Sequence, residues 1–254
     1  LLVSLAAANH AAKRREFTSE HVAEALEGKE AQLRLWQRLT SDGAVPLVKI
    51  LENDSIETGK RQGVFQFSHL SIQEALAAAH LVETNAVGFD GWATDATAMQ
   101  YANDPSNQNM LRIGGGALGE VLARRGGRCT WDFCSHVSSG LKSASAVTAV
   151  AKLLDKTNTV LTTLDVSGNG IKDEGAIAIG ESLKTNKSLE TLVLVNCEIG
   201  ANGAAALASG LRVNAVLKTL TLNKNAIEDE GATVFGESLK SNESLETLVL
   251  VNCG

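Results

Sequence analysis

No apolar run in the 254-residue chain is long enough to cross a bilayer, and no charged segment precedes a cleavage-like site. Neither a membrane helix nor a secretory leader is expected. The chain opens on Leu1 and its last repeat stops mid-unit, so it reads as a piece of a longer protein and the missing leader excludes little. Basic residues are not in excess: 23 Lys and Arg face 29 Asp and Glu. From residue 161 onward the count is 12 acidic and 7 basic, so the acidity sits in the last third and no basic stripe is there for a nucleic acid. No G-x-x-x-x-G-K-[ST] phosphate loop occurs. His10, His21, His80 and His136 have no nucleophile or carboxylate at a meaningful spacing, and no enzyme is expected. The four cysteines do not suggest a disulfide framework. Cys129, Cys134 and His136 form C-x4-C-x-H, which lacks the second half of a metal site.

What the chain does have is a 28-residue period over residues 161–254. Leu161-Thr-Thr-Leu164-Asp-Val166-Ser-Gly-Asn169-Gly-Ile171 returns as Leu189-Glu-Thr-Leu192-Val-Leu194-Val-Asn-Cys197-Glu-Ile199. It returns again as Leu217-Lys-Thr-Leu220-Thr-Leu222-Asn-Lys-Asn225-Ala-Ile227, and a fourth copy starts at Leu245. Gly175, Gly203 and Gly231 keep the same step, as do Asn158, Asn186, Asn214 and Asn242. The ten residues 188–197 recur unchanged as 244–253. Leu164 and Val166 alternate with Asp165 and Ser167, the period of a strand with one buried face. Asp173 and Glu174 then open a helix at its positive dipole end, and Ile179 and Leu183 form an apolar i, i+4 pair. Asn186 follows, a residue suited to the left-handed conformation that ends helices. Each unit is strand, turn and helix, and because one unit cannot bury its own apolar face, neighbours must stack into a parallel sheet.

The spacing L-x-x-L-x-L-x-x-N/C-x-I resembles the leucine-rich repeat, and a 28-residue unit with alternating Asn and Cys is similar to the ribonuclease-inhibitor type. The implied fold is an α/β solenoid, a horseshoe with a parallel sheet and outer helices. Cys197 and Cys253 share one slot two repeats apart. With strands about 4.8 Å apart that exceeds the roughly 7 Å Cα limit of a bridge. Buried, reduced cysteines and a cytoplasmic location are expected.

Residues 1–90 read as three helices, two strands and a helix. Residues 1–12 are alanine-rich and helical. Thr18 caps a second helix through Val22, Ala25 and Leu26, with Glu20 and Glu24 near its start. Leu33, Leu35, Trp36 and Leu39 mark a third, ended by the turn at residues 41–43. Strands are expected over residues 45–51, with Pro46 near the start, and over residues 63–67. Ser71-Ile-Gln-Glu74 forms a capping box that starts a helix over residues 72–82. Three helices followed by a hairpin make a mainly α, winged-helix-like arrangement.

Phe65-Gln-Phe-Ser-His69-Leu-Ser-Ile-Gln-Glu74-Ala-Leu-Ala-Ala-Ala79 resembles the F-x-H-x-S-x-Q-E-x-x-A-A signature of the winged-helix domain in NACHT ATPases, the NOD-like receptors. The likeness implies that His69 contacts the phosphate of bound ADP and holds a closed state. On its residues alone, His69 is a structural residue at a strand–helix junction, and both readings stand. The family's phosphate loop and magnesium-binding acids lie upstream of this domain, so ADP or ATP is expected only with such an upstream domain and no cofactor in this chain alone. Gly114-Gly-Gly116-Ala-Leu-Gly119 fits G-x-G-x-x-G but follows a helical stretch, so it reads as a turn between helices.

Helices over residues 94–102 and 107–125, separated by a turn at residues 103–105, place a helical connector at 91–140, and the repeats then occupy 141–254. Trp92, Trp131, Phe89 and Phe133 read as core. Residues 146–154 resemble the helical half of a repeat that caps the solenoid.

Function is expected on the outward strand face of the repeats, as a surface for a protein partner. Its columns are Thr163, Thr191, Thr219 and Thr247; Asp165, Val193, Thr221 and Val249; and Ser167, Val195, Asn223 and Val251. Val193, Val195, Val249 and Val251 stand where solvent should be. They are either β-branched residues suited to strands or a protein-binding patch. Two readings of the whole follow: the sensor region of a NOD-like receptor-type protein, or a leucine-rich-repeat scaffold such as a Ran-type GTPase-activating protein without nucleotide control. Only the first accounts for His69 and its flanks. A last strand with an unpaired edge and Val249 and Val251 on it should also self-associate. Adding a polar capping repeat should then abolish a concentration-dependent rise in sedimentation, and a wild-type chain that stays monomeric would refute the edge contact.

Overall fold

The computed structural model describes residues 1–41, 45–52, 63–87, 89, 91–125, 130–132, 141, 144–154, 158 and 160–254. The chain divides into two compact units, Leu1–Thr84 and Asn85–Gly254.

In the first unit α1 (Leu2–Ala11), β1 (Glu16–Thr18), α2 (Ser19–Ala25), α3 (Glu30–Ser41), β2 (Val48–Glu52), β3 (Val64–Phe67) and α4 (Leu70–Glu83) follow one another. The strands form an antiparallel sheet in the order β1-β3-β2. Phe65 and Phe67 alternate with Val64 and Gln66 along β3, and the two rings turn inward. They meet Phe17 and Trp36; the Trp36 and Phe65 rings lie edge to face at 5.0 Å. Leu5, Val22 and Leu26 close this core. Strand β1 is too short to show an alternation in sequence, yet it supplies Phe17.

Thr18 caps α2 as expected. His21 N donates to Thr18 Oγ1 at 3.4 Å, and Thr18 N donates back to His21 Nδ1 at 3.1 Å, so histidine takes the usual place of glutamate in a capping box. The expected capping box at Ser71 and Glu74 does not form. Ser68 N donates to Leu47 O at 2.8 Å, which keeps the chain paired up to the junction. Ile72 N then donates to His69 O, and α4 starts at Leu70 with His69 as its N-cap residue. Glu74 thus falls inside the helix and is buried, while Gln73 Nε2 donates to Arg14 O at 2.9 Å. Pro46 precedes β2 in a turn, where it lacks no ladder hydrogen bond.

The second unit begins with α5 (Asp95–Asn103), capped by Thr94, and α6 (Pro105–Arg125), whose first residue is proline. Asp104 Oδ1 accepts from Ser106 N at 3.0 Å and ends the turn between them. Helix α6 breaks at Gly115 (φ 50°, ψ −149°), so the glycine run joins two helical segments, as its sequence position implies. Then come β4 (Thr130–Asp132), α7 (Ala144–Lys152), β5 (Thr163–Asp165), α8 (Lys172–Leu183), β6 (Thr191–Val193), α9 (Ala201–Val213), β7 (Thr219–Thr221), α10 (Glu228–Leu239) and β8 (Thr247–Val249).

The five strands form one parallel sheet in chain order, with Leu164, Leu192, Leu220 and Leu248 in register. Trp131 occupies the same row on β4, so the sheet starts one strand before residue 141, inside the stretch expected to be a connector. Trp131 is buried against Trp92, the rings 5.4 Å apart. Leu161, Leu164, Val166, Ile171 and Leu183 and their counterparts Leu189, Leu192, Leu194, Ile199 and Leu211 are all buried. Gly203 sits where a Cβ would meet Ala176 Cβ at 2.9 Å and Asp173 Oδ1 at 2.6 Å, so glycine there lets α8 and α9 approach.

The asparagine column does something the sequence does not show. None of Asn186, Asn214 and Asn242 takes a positive φ, so they do not end helices in the left-handed conformation. Asn214 is the extended C-cap residue of α9. Each side chain instead closes its own turn and reaches a carbonyl upstream. Asn186 Oδ1 accepts from Ser188 N and Leu189 N, while its Nδ2 donates to Leu154 O at 2.6 Å. Asn214 Oδ1 accepts from Val216 N and Leu217 N, and its Nδ2 donates to Leu183 O at 2.8 Å. Asn242 Nδ2 donates to Leu211 O and Asn214 O, at 2.7 and 2.9 Å. A second ladder follows the strands. Asn225 Nδ2 donates to Leu194 O and Leu222 O, both at 2.7 Å, and its Oδ1 accepts from Cys197 N and Ile199 N. Cys197 and Cys253 are buried thiols, not disulfide-bonded, and donate to Val166 O and Leu222 O of the preceding repeats.

Two stability effects are expected. Leu192→Ala and Leu220→Ala remove fully buried side chains and should each cost about 2–5 kcal/mol, whereas Leu248→Ala, half-buried at the sheet edge, should cost clearly less. Asn214→Ala should cost about 1–3 kcal/mol for each buried backbone group it leaves unpaired. Denaturant melts of the four variants check both, and a neutral Asn214→Ala would refute the ladder's role.

Candidate functional site

The middle residue of each repeat strand points into the core, and its two neighbours point away. Register alignment therefore brings the expected surface columns together. Thr163, Thr191, Thr219 and Thr247 form one row across β5 to β8, and Asp165, Val193, Thr221 and Val249 form the next. All are half-buried except Thr247, which is exposed. The third column lies in the turns that follow the strands.

Three of the expected surface residues are engaged within the repeats. Ser167 is buried, and its Oγ accepts from Val195 N at 3.1 Å. Asn223 Oδ1 accepts from Val251 N at 2.8 Å. Asp165 Oδ1 accepts from Ser167 N at 2.8 Å. Ser167 is thus removed from the exposed surface, Asp165 offers its remaining lone pairs, and Asn223 offers its amide N–H groups and a remaining lone pair. The reason is positional: the chain turns away from the sheet here, and the N–H groups of residues 195 and 251 need an acceptor from the preceding repeat. Because their backbone is served by a neighbour, positions 195 and 251 themselves need no polar side chain. Valine there is half-buried at 195 and 54% exposed at 251.

The face that remains is four threonines, Thr221 and two valine pairs, Val193 with Val195 and Val249 with Val251. Two repeats separate the pairs, so at about 4.8 Å per strand they lie roughly 10 Å apart. A further column runs alongside. Glu190 accepts a hydrogen bond from Lys218 Nζ at 2.9 Å, and this bond raises the pKa of the Lys218 ammonium. Glu246 follows, exposed, in the next repeat.

Asp132 extends the aspartate column, paired in register with Asp165. It is not among the residues expected from the sequence; its signal is Thr130-Trp131-Asp132, which repeats Thr163-Leu164-Asp165 with tryptophan for leucine, at a spacing of 33 residues in place of 28.

In the first unit His69 is exposed at the start of α4, and its side chain makes no cap hydrogen bond. It lines a cavity of about 200 Å³ together with Arg15, Gln66, Phe67, Ser68, Leu70 and Gln73. An imidazole, a guanidinium and the N-terminus of a 14-residue helix are a donor set suited to a phosphate oxygen. Arg15 has no signal in the sequence for this place, since the β1–β3 pairing brings it there from 54 residues upstream of His69.

Cys129, Cys134 and His136 lie outside the described residues, as does Phe133. Among the described residues no group of three or more His, Cys, Asp or Glu could hold a metal ion, and no helix is long and apolar enough to cross a membrane.

Comparison with known proteins bears on the second unit. A search of curated proteins gives no match. Among solved structures the chain is similar to Leiomodin-1 Actin-Binding Site 2 (ABS2), at 19% identity over 60% of this chain and 76% of that one, with a TM-score of 0.45. The Leucine Rich repeat family profile matches residues 157–180, 185–208 and 213–236, each match taking in one strand and part of the helix that follows it, β5 with α8, β6 with α9 and β7 with α10, so the second unit of this chain contains three leucine-rich repeats.

Proposed function

We propose that this chain is a non-enzymatic interaction region whose repeats hold a partner protein on the outward strand face, within a cytoplasmic signalling protein of the NACHT type. The observation that carries the interaction reading is the in-register face of threonines and valines. β-Branched side chains lose little freedom when a partner covers them, and the two valine pairs supply apolar area without distorting the repeats. No nucleic acid and no membrane enter this reading, because the repeat surface is acidic and the face is small and apolar.

Two features support the NACHT-type reading of the first unit. Its order of helix, strand, two helices and two strands, with the first strand paired to the last, suits a winged helix. His69 and Arg15 share one cavity at the start of α4, which suits a contact to the terminal phosphate of ADP. Nothing in the chain supplies a phosphate loop, so the nucleotide would be held mainly by a domain upstream, with His69 adding one contact.

The face is tested by Val193→Asp with Val195→Lys, which changes two half-buried side chains and leaves the backbone N–H of residue 195 to donate to Ser167 Oγ as before. The double variant should melt like wild type and lose the partner that wild type retains from a cell extract. Retention of the same partner by the folded double variant would overturn the interaction reading.

The nucleotide contact is tested separately. This chain should bind ADP no tighter than about millimolar. In a longer protein that carries a phosphate loop, His69→Ala should weaken ADP by about 1.5–3 kcal/mol, the worth of a charge-assisted contact. Unchanged ADP retention would remove His69 from the site.

A further inference from the structure

The asparagine ladder has a consequence for where the chain can fold. Two of its four members, Asn186 and Asn242, begin Asn-Lys-Ser188 and Asn-Glu-Ser244, both of the form N-x-S that accepts N-linked glycans. The other two, Asn158 and Asn214, are followed two positions on by valine and do not have it.

In the folded chain both ends of each triplet are engaged. Asn186 is 3% exposed and its Nδ2 donates to Leu154 O at 2.6 Å. Ser188 Oγ donates to Asn158 O at 3.0 Å, in the preceding repeat. Asn242 Nδ2 donates to Leu211 O and Asn214 O, and Ser244 Oγ donates to Asn214 O at 3.2 Å. The hydroxyl that completes the acceptor triplet is therefore a second rung of the same ladder. The motif arises from the packing and is not displayed on a surface loop.

Glycan transfer would act on this nitrogen. The transferase joins Nδ2 to the anomeric carbon of a lipid-linked oligosaccharide, displaces the lipid pyrophosphate, and the amide gives up one proton. A glycan on Asn186 Nδ2 has no space at 3% exposure, and it would push the side chain off Leu154 O. On Asn242 one remaining N–H could not serve two carbonyls. Transfer takes place on chains that are still unfolded, so burial in the finished repeat gives no protection.

We infer that this chain can build its repeats only in a compartment without asparagine-glycosylating machinery, and that Asn186 and Asn242 are the positions that bar it from the secretory lumen. The inference rests on the ladder and not on the partner-binding face.

The test places a cleavable secretion signal before the whole chain in a eukaryotic secretory host. Ser55→Ala is present throughout, because Asn53-Asp-Ser55 is a third N-x-S and lies outside the described residues. The chain should carry glycans at Asn186 and Asn242, removable by an amidase, and should be protease-sensitive. Adding tunicamycin, which needs no substitution, should restore a protease-resistant, cooperatively melting chain. Ser188→Ala with Ser244→Ala keeps both asparagines but removes one ladder bond at each site, and it should also give a protease-resistant chain without the drug, melting below the tunicamycin-treated wild type. A secreted chain that is modified at both sites and still folds would overturn the inference. So would a secreted chain that escapes modification and folds, or one that stays unfolded with tunicamycin present.

Discussion

The repeat unit depends on side-chain amides that finish the hydrogen bonding its short strands leave undone. Each described repeat strand is three residues long, and the chain must then leave the sheet, cross the core and enter a helix with its backbone buried. A buried N–H or C=O without a partner is costly. Asparagine is short and carries a donor and an acceptor on one rigid group, so a single residue closes its own turn and holds the repeat before it. Asn225 shows the full use, accepting from two backbone N–H groups of the preceding repeat and donating to carbonyls of two repeats. The leucine rows fill the interior, but apolar packing is non-directional and would tolerate a slip between neighbours. The amides fix the register.

Much of the solenoid could be read from residue order because every repeat obeys the same constraint. Leucine rows and the glycines between helices recur every 28 residues, while acidic residues open α8 and α10 only, and the structure places the leucines in register. The role of Asn186 and its equivalents was not legible. A recurring amide after a helix suits either a left-handed cap or a side-chain ladder, and the backbone, extended at Asn214, separates the two. Strand β4 was hidden for another reason. Its tryptophan fills a leucine position and its distance from β5 breaks the period, so a search for identical spacing passes over it. Strand β1 has three residues and no measurable alternation. The start of α4 depends on Ser68 pairing with Leu47, a contact across a 21-residue separation that local capping rules do not contain.

The outward face was legible as a set of columns and less so as a surface. A strand pattern states which side chains leave the core. It does not say which of them the next repeat needs. Ser167, Asn223 and Asp165 have hydroxyl, amide and carboxylate acceptors at the point where backbone N–H groups emerge from the sheet, and the fold takes them for that purpose. The valines were marked as anomalous because they are apolar among polar neighbours. Their setting follows from the same bonds, since the preceding repeat provides the acceptor their backbone requires.

The two kinds of repeat alternate for this reason, and the alternation reaches the surface. One kind carries Asn169 or Asn225 in the strand ladder, with Ser167 or Asn223 reaching forward. The other carries Cys197 or Cys253, with Val195 or Val251 receiving. An amide reaching in both directions makes a second amide in the adjacent repeat unnecessary, and a thiol with one weak donor fills the smaller demand that remains. The true unit is therefore a pair of repeats, as the unchanged ten residues at 188–197 and 244–253 also show. A surface built on that pair presents apolar groups at every second strand with polar, internally bonded groups between them. Any partner that matches the face must follow the spacing of about two strands, and that spacing is set by hydrogen bonds inside the repeats and not by the valines themselves.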